Sequence, residues 1–181
     1  CMVYDLDNSV KSEALGFVGI NSEKTGVATF DRFKALLVGG DKCAIGLNEL
    51  IASTGHKPSP FEGVKNVSCL MTVWKLYKRN REVLAETWPL IAAVNAECKI
   101  RDIVVRGIFW AEIQARKHGM SLLKNPYMRL LIVKGGESCN SDIRREISIV
   151  GKGGSRIEAN AIIKILNKAK GRSTKKLPLM E

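Results

Sequence analysis

The central stretch at residues 100–119, which decides the fold, reads IRDIVVRGIFWAEIQARKHG. Its apolar side chains recur every three or four positions, as at Ile103, Val104 and Ile108, which is the period of one helix face. A lysine, a histidine and a glycine close the stretch, an order typical of a helix end. The pattern predicts a helix over residues 100–117 that buries one face against other helices.

The same period continues on both sides of this stretch. We predict further helices over residues 7–20, 30–38, 42–53, 66–77 (beginning at Asn66 or Ser68), 82–97, 125–133 and 155–168, with 142–150 either helix or strand. The predicted fold class is predominantly α, a multi-helix bundle-like domain with a short extended segment at its N-terminus. We divide the chain into a helical domain, 1–136, and a basic part with a glycine loop, a helix and a tail, 137–181.

The composition narrows the function classes. Of the 181 residues, 45% are hydrophobic and 26% charged, which suits a globular domain with a real core. No apolar run approaches the roughly 18 residues of a membrane span, so we expect no membrane partner. Five cysteines without a C-x-x-C pair and two histidines give no recognisable zinc ligand set. We therefore expect no metal, no cofactor, free thiols and a cytoplasmic location.

Positive charge is concentrated near the C-terminus. The net charge is +11, and residues 144–181 hold ten basic against three acidic residues, or seven of those eleven charges. Such a concentration is typical of a surface that contacts phosphates. The predicted partner is nucleic acid, DNA rather than RNA. A solvated basic face with a disordered tail is the alternative.

The glycine loop at residues 151–156 is the most specific feature. Its three glycines free backbone N–H groups to face an anion, and the helix after it adds the positive end of a dipole. An ordinary flexible loop before a helix is the alternative. The predicted phosphate-binding residues are Arg144, Arg145, Lys152, Gly153, Gly154, Ser155, Arg156, Lys164, Lys168, Arg172, Lys175 and Lys176.

A secondary basic cluster lies between two predicted helices and consists of Lys75, Lys78, Arg79 and Arg81. Trp74 and Tyr77 lie beside it, and interleaved basic and aromatic residues are used to bind single strands. The alternative, which we favour for Trp74 and Tyr77, is burial in the core. Residues 29–53 also fit a helix-turn-helix, with Lys42, Asn48 and Ser53 toward DNA.

Catalytic signals are sparse. No nucleophile elbow, H-E-x-x-H or cysteine–histidine signature is present. Four acidic residues could in principle pair as metal ligands, although each has ordinary surface-helix spacing: Asp102, Glu112, Asp142 and Glu146. We predict no catalytic residue in this chain.

Two segments carry a family resemblance. The first includes Phe17-Val18-Gly19-Ile20-Asn21 and Asp31-Arg32-Phe33-Lys34-Ala35, and the second runs from the glycine loop into the tail at residues 153–178. Together they resemble the region that follows the nuclease domain in ParB/sulfiredoxin-like proteins of phages and plasmids. The resemblance implies that residues 1–6 end a missing N-terminal domain, which would hold any nuclease or nucleotide-dependent activity.

The resemblance implies DNA binding by a basic surface in a host cytoplasm or nucleoid, with self-association as a further property. Residues 153–159 also match the G-x-x-R-x-x-A pattern with which ParB-like domains hold a nucleotide phosphate. We favour a chance match, because the other half of such a domain is not visible around it. Two alternative functions stay open: a viral or phage protein that packages nucleic acid without sequence preference, and a nucleotide-binding enzyme that uses residues 153–156.

Overall fold

The structure, a computed structural model, describes residues 10–14, 16, 29–151, 153–168 and 176–180. It is predominantly helical, which confirms the predicted fold class. The predicted extended segment at residues 1–6 and most of the helix at 7–20 lie outside the described residues, while 10–14 and 16 are helical. The remaining helices are α1 (Thr29–Val38), α2 (Lys42–Ala52), α3 (Leu70–Arg79), α4 (Arg81–Val94), α5 (Asp102–Lys117), α6 (Arg129–Lys134), α7 (Gly136–Val150) and α8 (Ser155–Lys168).

Helix α5 lies at the centre of the fold. It packs against α3, α4, α7 and α8, and its most extensive contact is with α8. Its residues Val104, Val105, Ile108 and Phe109 are fully buried, as the apolar period predicts. Gly107 allows α8 to come close, because a Cβ there would lie 3.0 Å from the carbonyl oxygen of Glu158.

The hydrophobic core draws on the whole described chain. Cys139 and Ile143 of α7 and Ile162 of α8 belong to the same buried cluster as Trp88 and Phe109. Side chains on both sides of the predicted division at residue 136 therefore share one core. The division itself stays a prediction.

Two predicted helix starts are wrong, for local reasons. Helix α3 begins at Leu70 rather than at residue 66 or 68, because Asn66–Val67 (β2) pairs in parallel with Lys57–Pro58 (β1). Helix α6 begins at Arg129 rather than at 125, because the Asn125 side chain accepts a bond from the Tyr127 N–H (2.9 Å) and forms a turn.

The region at 142–150 is a helix, not a strand, and α7 begins earlier than predicted. Gly135, at φ +75°, ends α6 and lets α7 start at the next residue. Gly136 packs so tightly on α4 that a Cβ would lie 2.2 Å from the Asn95 Oδ1 atom. Within the described part of the chain, no helix is long and apolar enough to cross a bilayer.

Candidate nucleic-acid interface

Helix α3 separates its aromatic residues from its basic ones. Trp74 and Tyr77 are only 7% and 4% exposed, which confirms that they belong to the core. Lys75, Lys78 and Arg79 point outward and are exposed. We call these three residues the cationic ridge.

A hollow of about 580 Å³ lies on one side of the cationic ridge. The ridge forms its front wall, α5 contributes Arg106 and Trp110, and the first turn of α8 contributes Ser155. We call it the α3 hollow. It brings the secondary basic cluster next to the helix that follows the glycine loop, although about 75 residues separate them in sequence.

Trp110 is the aromatic residue of the α3 hollow. Its ring is half-buried and is held by the edge of Phe109, with ring centroids 5.4 Å apart. The guanidinium of Arg79 lies 4.8 Å from its centroid, within the range of a cation–π contact. No role for Trp110 was predicted from the sequence. Its spacing of four from Arg106 was the available signal, because that spacing puts both on one face of α5.

Arg106 is a fixed part of the wall rather than a free cation. It donates two bonds to the buried carboxylate of Glu158, at 2.8 and 2.7 Å, and a third to Asp102 at 2.7 Å. The hydrogen bonds to Glu158, more than those to Asp102, raise the pKa of Arg106 above its usual range. Its charge is therefore already balanced by two carboxylates.

The cationic ridge is not balanced in this way. No ion pair between described residues involves Lys75, Lys78 or Arg79. On its other side lies a smaller hollow of about 250 Å³, lined by Arg32, Asp41 and again Lys75 and Lys78. Lys75 and Lys78 thus lie between two concave surfaces, while Arg79 lines the α3 hollow alone.

The glycine loop leads into the α3 hollow. Gly151 has φ +76° and Gly154 has φ +138°, conformations that favour glycine. Helix α8 begins at Ser155, and the exposed Arg156 follows it. Of the predicted phosphate site, Ser155 lines the hollow, whereas Gly153, Gly154 and Arg156 are its neighbours in sequence and do not line it; Lys152 lies outside the described residues.

The other predicted C-terminal cations do not line the α3 hollow. Lys164 pairs with Glu146 and Arg145 with Asp142, so their charges are partly balanced. Arg144 donates to the side-chain oxygen of Asn140 (3.4 Å). Lys168 and Lys176 are exposed, whereas Arg172 and Lys175 lie outside the described residues.

Residues 176–180 form an extended segment that is held against α8. Asn167 donates to the carbonyl of Leu177 and accepts from its N–H, both at 2.9 Å. Asn160 makes the same pair of bonds with Met180, at 3.0 and 2.7 Å. Gln114 of α5 donates a further bond to the segment at 2.9 Å. This end of the predicted basic tail is therefore anchored, and it covers part of the α8 face on which we predicted phosphate contacts.

Arg81, the fourth residue of the secondary cluster, is turned toward α2. Its guanidinium lies 5.5 Å from the ring centroid of Tyr77 and near Gly46. The two helices α1 and α2 of the predicted helix-turn-helix are present, and Asp41 caps α2 by accepting from the Ala44 N–H (2.7 Å).

The exposed stripe of α2 is not basic, although it begins with the predicted DNA-facing Lys42. It continues with Ile45, Glu49 and Ala52, so its two charges cancel. The cationic ridge of α3 offers a denser positive surface than this helix.

The acidic residues that we weighed as metal ligands serve as ion-pair partners. Asp102 pairs with Arg106, Asp142 with Lys134, and Glu146 with Lys164. Glu112 is fully buried, accepts from the Arg116 guanidinium (2.7 Å) and also from the Leu122 N–H (2.7 Å). Among the residues that the structure describes, no group of three or more His, Cys, Asp or Glu could hold a metal ion.

Comparisons of the chain with family models, with curated proteins and with solved structures found no match. The resemblance to ParB-like proteins therefore stays a prediction.

Proposed function

We propose that this chain binds nucleic acid, DNA in the first place, through phosphate contacts made by the cationic ridge of α3. The observation that carries the proposal is the convergence of Lys75, Lys78 and Arg79, all exposed and without an ion-pair partner among described residues, with Trp110 at one hollow. Ser155, the first residue of α8, lines this hollow, and the positive end of the α8 dipole adds to its potential.

The chemistry of the ridge suits phosphates better than a small acidic ligand. Lysine supplies a mobile point charge and arginine a planar fork of donors, and both are common phosphate-contacting groups. Their arrangement along an exposed helix face lets each meet a different phosphate of a polymer. Such contacts supply affinity and position but do not read sequence.

The C-terminal cations extend this surface in the proposal. Arg144, Lys168 and Lys176 are exposed, and a polymer that leaves the α3 hollow could meet them beyond it. The ridge is the primary contact because it is the denser cluster of unpaired charge. Two roles are compatible with this proposal: a ParB-like role linked to a nuclease, and packaging of nucleic acid without sequence preference. They differ in the polymer and in the sequences that the protein would prefer.

The test is fluorescence anisotropy with labelled DNA across a salt series. We compare the wild type with a ridge variant, Lys75→Gln/Lys78→Gln/Arg79→Gln, and with a control that also loses three cations, Arg144→Gln/Arg145→Gln/Lys168→Gln. Each phosphate contact contributes a slope of about 0.9 in log K against log salt for duplex DNA and about 0.7 for single strands. The ridge variant should lower both affinity and slope more than the control.

Two results would count against the proposal. A larger loss in the control would move the primary surface to the C-terminal cations. An absence of binding at low salt by the wild type would remove nucleic acid as the partner. A preference for one duplex sequence would favour the ParB-like role, and length-dependent binding without sequence preference would favour packaging.

A further inference from the structure

We propose that the α3 hollow takes one unpaired nucleotide of a DNA single strand, with its base stacked on Trp110 and its phosphate on Lys75 and Lys78. This inference rests on the proposed function and specifies its ligand. It starts from the shape of the hollow, the placement of the indole ring and the imbalance of charge around it.

The accessible indole favours a single strand over a duplex. The α3 hollow, about 580 Å³, is open to solvent, so a base that is not stacked in a duplex can reach the ring. In a duplex, both faces of a base are covered by its neighbours in the stack, so the base must leave the stack to present a face to a side chain. A single strand presents such faces without the cost of unpairing.

Trp110 is placed as a stacking surface. Phe109 holds the ring edge-to-face at 5.4 Å, so its orientation is fixed before a ligand arrives. Arg79 lies over the ring at 4.8 Å, which shows that a planar cationic group already fits there. Because Arg79 is exposed and has no carboxylate partner among the described residues, its guanidinium can move from the ring to a phosphate and leave the indole to the base.

The walls on either side of Trp110 have different roles. Arg106 is held by Glu158 and Asp102, so it keeps the back wall in place; the two carboxylates outweigh its single charge, and it adds no positive charge to the hollow. The front wall carries Lys75 and Lys78, whose charge is not compensated within the described part of the chain. A nucleotide between the two walls would meet the indole with its base and the lysines with its phosphate.

The other two tryptophans are much less accessible to a base than Trp110 is. The chain has three tryptophans, of which Trp88 is 0% exposed and Trp74 is 7% exposed. Trp110 is therefore the tryptophan that a base can stack on. Because the Lys78 ammonium lies 4.9 Å from the ring centroid of Trp74, the part of a fluorescence change that reports on Trp110 is the part that is lost in Trp110→Leu.

The experiment titrates the full chain with a single-stranded DNA oligonucleotide and with a duplex of equal length at the same salt. We measure tryptophan fluorescence and, separately, anisotropy for the wild type, Trp110→Phe and Trp110→Leu. We expect tighter binding and fluorescence quenching with the single strand. Loss of the ring in Trp110→Leu should weaken single-strand binding roughly 5- to 150-fold, and Trp110→Phe should lie between.

The salt slope separates stacking from a change in structure. Stacking releases no counterions, so Trp110→Leu should keep the wild-type slope while the ridge variant loses slope. Unchanged fluorescence together with equal binding of single strand and duplex would overturn the inference. Both quantities can be measured on the wild type, so the test stays decisive even if Trp110→Leu does not fold. Binding that still depends on the ridge would then leave the proposed function standing, whereas no binding of either polymer would refute both.

Discussion

Replacing Glu158 by glutamine is expected to destabilise the junction between α5 and α8. The Glu158 carboxylate is 2% exposed and accepts two bonds from Arg106, at 2.8 and 2.7 Å. The glutamine side chain can accept only one of these bonds, and its amide group then faces a guanidinium N–H. One buried donor loses its partner, and the remaining bond loses the assistance of the negative charge.

The size of the effect follows from what Arg106 retains. Breaking a fully buried ion pair costs about 3–5 kcal/mol. Arg106 keeps its bond to Asp102 at 2.7 Å, and its side chain is 28% exposed, so water can reach the abandoned guanidinium. We therefore expect a loss of about 2–3 kcal/mol in the free energy of unfolding, or about 4–12 °C in Tm for a chain of this size.

The assay is urea denaturation followed by circular dichroism, with Asp102→Asn as the matched control. Asp102 binds the same guanidinium, but its side chain is 47% exposed, so its loss should cost only about 1 kcal/mol. If Asp102→Asn lowers the unfolding midpoint as much as Glu158→Gln does, or more, the reasoning is refuted, because burial would then not decide which carboxylate holds α5 to α8.

Three further predictions concern other parts of the fold. Burial lowers the pKa of His56 below its usual 6.5, so the unfolded state binds a proton at a higher pH than the folded state does. The free energy of unfolding should therefore fall as the pH drops below about 6.5. His56→Gln should flatten this dependence, and parallel curves of stability against pH for the two proteins would contradict the prediction. Replacing Asn160 and Asn167 by alanine should speed amide hydrogen exchange at Leu177 and Met180, whose N–H groups donate to these side chains, and unchanged exchange would mean that other contacts hold the segment. Gly46→Ala should lower the free energy of unfolding by about 1–3 kcal/mol although alanine favours helices, because the new Cβ would lie 2.5 Å from the Tyr77 hydroxyl. A gain in stability in urea denaturation would show that Tyr77 can move freely.

The helices could be predicted where one apolar face dominates. Helix α5 and helix α8 follow the 3.6-residue period closely, and both are found within two residues of the predicted bounds. The region that became α7 was ambiguous, because β-branched residues crowd its C-terminal end. The helix predicted to begin at Asn125 failed because that side chain bonds to the backbone two residues on, an interaction that the apolar period does not reveal.

The site could be predicted only in part. Lys75, Lys78 and Arg79 lie within five residues of sequence, so the sequence predicted them as part of one basic cluster. Its neighbours Arg106 and Trp110 come from another helix, and only the packing of α3 on α5 brings them together. Sequence position alone also could not show which cations are already balanced by carboxylates.

The close contact at Gly107 has a consequence for binding entropy. At Gly107 the backbones of α5 and α8 lie so close together that the two helices can move little relative to one another. The back wall of the α3 hollow is therefore ordered before any ligand arrives. The freedom lost on binding then comes from the three long side chains of the ridge, at about 0.5–1.5 kcal/mol each. Shortening or stiffening those side chains, rather than bracing the helices, is therefore the route by which affinity at this hollow could be raised.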